Sequence, residues 1–117
     1  MLHLPSTIKY YLYHLPGNMR KGFDSLSCIV SSQMNQQVLD GSIFIFLNRN
    51  RTHIKLLLWE GDGFALYYKR LEQGTYELPL GDVNTVSMNI THQQLQFMLQ
   101  GVALQKIEYR KRYIKPV

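Results

Sequence analysis

Lys55-Leu56-Leu57-Leu58-Trp59-Glu60-Gly61-Asp62-Gly63-Phe64-Ala65-Leu66-Tyr67-Tyr68-Lys69-Arg70 reads as two strands closed by a Gly-Asp-Gly turn. Asp-Gly between alternating apolar runs is a strong hairpin signal, because such turns need a positive φ that Gly, Asn and Asp reach at little cost. Aromatic and cationic side chains alternate along both arms. A strand pair bearing Lys, Tyr, Trp and Arg on one face suits a phosphate-rich partner better than bond-making chemistry.

The period of two extends outward from this hairpin. Ile43 to Asn48, His53 to Trp59 and Phe64 to Leu71 form three successive expected strands, joined by Arg49-Asn50-Arg51-Thr52 and Glu60-Gly61-Asp62-Gly63. Short connections of this kind impose antiparallel pairing, since parallel neighbours need a long crossover. A weaker strand is expected at Thr75 to Leu78 and another at Val86 to Ile90. Upstream, Lys9 to His14 is rich in strand formers and stops at Pro16-Gly17.

Helical spacing appears twice. Phe23, Leu26, Val30 and Met34, with Ile29 alongside, place one apolar stripe on a helix from about Asn18 or Gly22 to Met34. A second helix is expected from His92 to Gln100, with Thr91 as N-cap, Gln94 at capping-box spacing and Gly101 at the C-cap. The expected fold class is α+β: an antiparallel four- to five-stranded meander sheet packed with at least two amphipathic helices. Residues 1–105 are expected to form a single domain and residues 106–117 a basic C-terminal tail.

Composition fits that scheme. The chain has 117 residues, 45% hydrophobic and 18% charged, enough for a core without metal or disulfide staples. Its formal charge of +5 favours anionic partners such as nucleic acid, anionic lipid or an acidic protein surface. The cations are clustered: Arg20 with Lys21, Arg49 with Arg51, and Lys106, Arg110, Lys111, Arg112 and Lys115 near the end, opposed there only by Glu108. The last group reads either as a solvated tail or as an arm along a phosphate backbone. Cys28 is the single cysteine, which excludes an intramolecular disulfide and a cysteine metal cluster within the chain. A reducing cytoplasm is the expected compartment, with neither a secretory signal nor a membrane span expected.

Parity assigns the side chains to faces. If Arg49 to Thr52 form a four-residue loop, Asn48 pairs with His53 and Phe46 with Lys55; at the next turn a four-residue loop pairs Trp59 with Phe64 and a two-residue Asp62-Gly63 turn pairs Trp59 with Leu66, both with the same parity. One face then carries Ile43, Ile45, Leu47, Ile54, Leu56, Leu58, Ala65 and Tyr67, and should be core. The other carries Phe44, Phe46, His53, Lys55, Leu57, Trp59, Phe64, Leu66, Tyr68 and Arg70. That second face has two readings: a platform that stacks bases and steers phosphates, or a second core layer with only its edge cations wet.

Arg20 and Lys21 sit where the first helix starts, beside the positive end of its macrodipole. An anion there would be favoured by free backbone N–H groups and two cationic side chains. The alternative is internal neutralisation by Asp24. The resulting nucleic-acid-binding candidates are Arg20, Lys21, Arg49, Arg51, Lys55, Lys69 and Arg70, with Trp59 and Tyr68 as stacking or packing residues.

Catalytic signatures are missing from the sequence. Histidines 3, 14, 53 and 92 lack paired ligand spacing, no serine or cysteine has a base at recognisable spacing, and no phosphate-binding glycine loop occurs. A nuclease needs several carboxylates around divalent metal, and only Asp24, Glu60 and Asp62 look placed. The expectation is a non-enzyme without catalytic residues, cofactor or metal.

Three motifs carry a resemblance: Asn18-Met19-Arg20-Lys21-Gly22-Phe23-Asp24-Ser25-Leu26, Ile45-Phe46-Leu47-Asn48-Arg49 with Lys55-Leu56-Leu57-Leu58-Trp59-Glu60-Gly61-Asp62-Gly63-Phe64, and Tyr67-Tyr68-Lys69-Arg70-Leu71-Glu72. Together they resemble the TnpB-type accessory proteins of the IS66 insertion sequences, small bacterial products encoded beside a larger transposase. The resemblance spans roughly residues 8 to 101. It implies a non-catalytic role in DNA transposition with the element's transposase as partner, and no cofactor. The family's motif cations fall on Arg20, Lys21, Arg49, Lys55, Lys69 and Arg70. DNA binding through a basic surface is the function expected; a module that docks on the transposase without touching DNA is the alternative.

Overall fold

The computed structural model describes residues 4–79 and 85–101. Chain order is β1 (Tyr10–Tyr13), α1 (Phe23–Ser32), β2 (Ile43–Leu47), β3 (His53–Trp59), β4 (Phe64–Arg70), β5 (Ser87–Ile90) and α2 (His92–Gln100). One sheet holds all five strands in the order β4-β3-β2-β1-β5.

The hairpin registers follow from loop length. Phe46 pairs with Lys55, Trp59 with Phe64 and His53 with Arg70, all antiparallel. Gly61 takes the positive φ of the β3–β4 turn at +95°. The expectation of a purely antiparallel sheet is corrected at β1, which runs parallel to β2 with Tyr10 opposite Ile43. The cause is α1 itself: the long segment between β1 and β2 is a helical crossover, the connection that parallel neighbours require. β5 then closes the other side of β1 in antiparallel register, Tyr10 facing Ile90.

Two core layers flank the sheet. On one side Tyr10, Leu12, Ile43, Ile45, Leu47, Ile54 and Leu56 are buried with Leu95 and Met98 of α2. On the other, Phe44, Phe46 and Leu57 lie against Leu26, Ile29 and Val30 of α1. The central strand β2 is therefore buried throughout, which is why its sequence is apolar at every position.

Both helices end as their sequences dictate. Thr91 and Gln94 form the reciprocal capping box of α2, with Gln94 N donating to Thr91 Oγ1 at 3.0 Å and Thr91 N to Gln94 Oε1 at 2.8 Å. Gly101 closes that helix at φ +85°. α1 stops near Gln33; Asn35 turns left-handed, and Gln36 N donates to the Val30 carbonyl at 3.1 Å.

Thr75 to Leu78 is not a strand, correcting that expectation. Tyr76 plugs the α2-side core with no exposure, and its N–H donates to the Arg51 carbonyl at 2.7 Å. The expected domain boundary at 105 and the basic tail 106–117 lie outside the described residues. No helix among the described residues is long and apolar enough to cross a membrane.

Candidate nucleic-acid interface

The sheet has chemically different ends. The carboxyl ends of β1, β2 and β4 meet the amino ends of β3 and β5 at one edge, a consequence of the strand directions. Arg49, Arg51 and Arg70 stand there. The opposite end carries Glu60 and Asp62 in the β3–β4 turn and Asp40 just before β2.

Arg49 and Arg51 are exposed on the β2–β3 turn. Asn48 shapes that turn: its Oδ1 accepts from the N–H of Thr52 at 2.9 Å and of His53 at 3.0 Å. Arg51 sits at φ +57°, a left-handed conformation that costs an ordinary L-residue roughly 1–2 kcal/mol. Its backbone is held on both sides, N–H to the Asn48 carbonyl and carbonyl to Tyr76.

Arg20 and Lys21 lie on the turn that leads into α1. Asn18 organises it, accepting from Arg20 N through Oδ1 at 2.9 Å and from Lys21 N through its carbonyl at 3.0 Å. Gly17 N donates to the Leu47 carbonyl at 2.7 Å, so this segment leaves β1 alongside the carboxyl end of β2.

Lys55 behaves unlike the other candidates. Only 5% of it is exposed, and Nζ donates to the carbonyls of Met19 at 2.7 Å and Lys21 at 2.8 Å. The ammonium also lies 4.7 Å from the centre of the Tyr68 ring, within cation–π range. Burial pushes its pKa below the ordinary lysine value. Lys55 thus anchors the Arg20-Lys21 turn rather than facing solvent.

The remaining candidates separate. Arg70 pairs with Glu72 at 2.8 Å, both side chains more than half exposed, a pair of the kind worth at most about 1 kcal/mol. Lys69 is exposed but sits opposite Ile54, on the α2 face, while Arg70 sits opposite His53 on the α1 face. Trp59 lies at the acidic end and packs edge-on against Phe64 at 5.0 Å, away from the arginines. Tyr68, 51% exposed, keeps one face toward Lys55 and stands 5.9 Å from the His53 ring.

The second sheet face is a core layer at its centre. Phe44, Phe46 and Leu57 are core under α1, His53, Trp59, Phe64 and Leu66 are half-buried, and Tyr68 and Arg70 are exposed. Among the described residues, Arg20, Lys21, Arg49, Arg51 and Lys69 have no carboxylate partner.

One feature carried no sequence signal. A cleft of about 260 Å³ opens between the carboxyl ends of β1 and β2, lined by His14, Leu15 and Pro16 on one side and Arg49 and Arg51 on the other. Its walls come from segments far apart in the chain, brought together only by the parallel pairing. No three of His, Cys, Asp and Glu among the described residues group closely enough to hold a metal ion.

The family described as IS66 Orf2 like protein matches residues 8–109. Two similar proteins come from Sinorhizobium fredii (strain NBRC 101917 / NGR234). Uncharacterized protein y4hO is 32% identical over 85 residues, covering 73% of this chain and 72% of its own. Uncharacterized protein y4jC is 24% identical over 101 residues, covering 86% and 84% respectively. No solved structure matches the chain significantly.

Proposed function

The chain belongs to the IS66 Orf2-like family, whose role is accessory to IS66 transposition, and we propose that it serves that role by binding DNA through the basic end of its sheet. The observation that carries this reading is the pair Arg49 and Arg51, exposed on one turn with no carboxylate partner among the described residues. A charge pair left unneutralised on a rigid turn is suited to phosphate oxygens, which such side chains bind through charge-assisted hydrogen bonds. Arg20 and Lys21 extend the surface along the α1 face, and the weak Arg70–Glu72 pair can open to a stronger anion. Lys55 contributes indirectly, by holding the Arg20-Lys21 turn in place. Lys69 faces away and has a peripheral part.

The test is a salt titration of binding to labelled DNA carrying the ends of an IS66-type element. Each phosphate neutralised on duplex DNA adds about −0.9 to the slope of log affinity against log salt. A steep slope, flattened by Arg49→Glu with Arg51→Glu while pull-down of the transposase persists, supports the reading. A slope near zero, or loss of transposase capture with DNA binding intact, supports docking on the transposase instead.

A further inference from the structure

We propose that the cleft between the carboxyl ends of β1 and β2 binds a single unpaired nucleotide. This rests on the DNA-binding reading and narrows it to DNA that offers an unstacked base. The cleft has two walls of different chemistry. Leu15, 47% exposed, Pro16 and Leu78 present apolar surface, while Arg49 and Arg51 present positive charge. A nucleotide divides the same way, with apolar base faces at one end and an anionic phosphate at the other.

Size favours one unit. At about 260 Å³ the cleft falls just short of the ~300–1,000 Å³ typical of sites for larger ligands. A base inside a duplex is covered on both faces by its neighbours and cannot reach Leu15 without being extruded. Single strands, overhangs and frayed ends supply such a base directly.

Two independent features point to a ligand. The Nδ1 atom of His14, a residue of the cleft wall, is buried with no hydrogen-bond partner among the described residues. Orphaned polar atoms of this kind are rare, and the ring has nothing at that atom to hold its orientation. Turning it toward the cleft gives Nδ1 a base edge or phosphate oxygen as partner. Arg51, meanwhile, occupies a backbone conformation better suited to Gly or Asn, so its guanidinium is kept there against a local conformational preference.

The experiment titrates thymidine 5′-monophosphate, and thymidine as a control, into the isotope-labelled full-length protein observed by NMR. In parallel, anisotropy compares an oligothymidylate with a blunt duplex of equal length. The expected result is shifts centred on His14, Leu15, Arg49 and Arg51, at least tenfold weaker binding of thymidine, and at least tenfold preference for the single strand. Arg51→Asn and, separately, Leu15→Ser are expected to keep the fold and weaken monophosphate binding at least tenfold. Shifts elsewhere, or monophosphate binding indifferent to both substitutions, overturn the cleft site even where duplex binding survives. Monophosphate seated in the cleft with no binding to either DNA overturns the DNA reading instead.

Discussion

The ammonium of Lys55 lies 2.8 Å from the carbonyl oxygen of Lys21, so a buried cation holds the backbone of another lysine. With the second bond to Met19, the contact fastens the turn before α1 to the middle of β3. Its bonds among the described residues are to carbonyls rather than carboxylates. No carboxylate among the described residues thus cancels the ammonium at this anchor.

Lys55→Met removes both bonds while keeping an unbranched side chain. Stability is expected to fall by roughly 1–3 kcal/mol, the cost of leaving polar groups unpaired at a buried site. Urea denaturation measures the loss, and amide exchange at Arg20 to Gly22 should accelerate with it. Unchanged stability together with unchanged exchange would show that the turn holds itself.

The same lysine makes stability depend on pH. Burial lowers its folded-state pKa below the ordinary 10.5, so between those two values the unfolded chain binds more protons than the folded one. Stability relative to Lys55→Met therefore rises with pH through that window and levels off above 10.5. A neutral amine still carries two N–H donors, enough for both carbonyls. Denaturation curves of the two proteins from pH 7 to 11 give the difference, and a difference that falls with pH contradicts the burial account.

Arg51→Asn should raise stability while weakening DNA binding. Asn tolerates the left-handed φ that Arg51 adopts at +57°, and the gain is expected at about 0.5–1 kcal/mol. Thermal melting and DNA titration on the same sample separate the two effects. Lower stability would mean that the guanidinium contributes to the fold.

Position on the sheet should sort the charge reversals. Arg49→Glu and Arg20→Glu are each expected to flatten the salt slope by about 0.9 or more, one phosphate contact each. Lys69→Glu, on the α2 face, should change it least. Equal effects at all three positions would indicate a diffuse electrostatic response without a defined surface.

Much of the fold is legible in the residues, because it rests on local rules. A four-residue loop pairs Phe46 with Lys55, and side-chain parity sorts the strand residues into two faces, whereas Trp59 pairs with Phe64 rather than Leu66 because the β3–β4 turn spans four residues instead of two. Thr91 with Gln94, and Gly101 after the last turn, announced α2 and both of its ends. The motifs around Met19 to Leu26 and Tyr67 to Glu72 pointed to the IS66 accessory family, which matches residues 8–109. What stayed hidden was non-local. Strand direction at β1 depends on where α1 returns the chain, and Tyr76 is buried without belonging to any regular element.

The candidate site shows the same division. Charge and turn chemistry alone singled out Arg49 and Arg51, and a solvent-facing turn leaves such side chains few alternatives. Lys55 sits in an equally suggestive pattern, yet a pattern records residue type and not whether a distant carbonyl has arrived to take the ammonium. The amino-acid order thus settled the parity of the hairpin strands, the caps of α2 and the inventory of cations, each decided by neighbours within a few residues. Only the tertiary structure decided which cations face water, that Trp59 stands at the opposite end of the sheet from Arg49, Arg51 and Arg70, and that a cleft forms beside the first two of these. Those outcomes depend on packing segments remote in sequence, whose meeting no local propensity encodes.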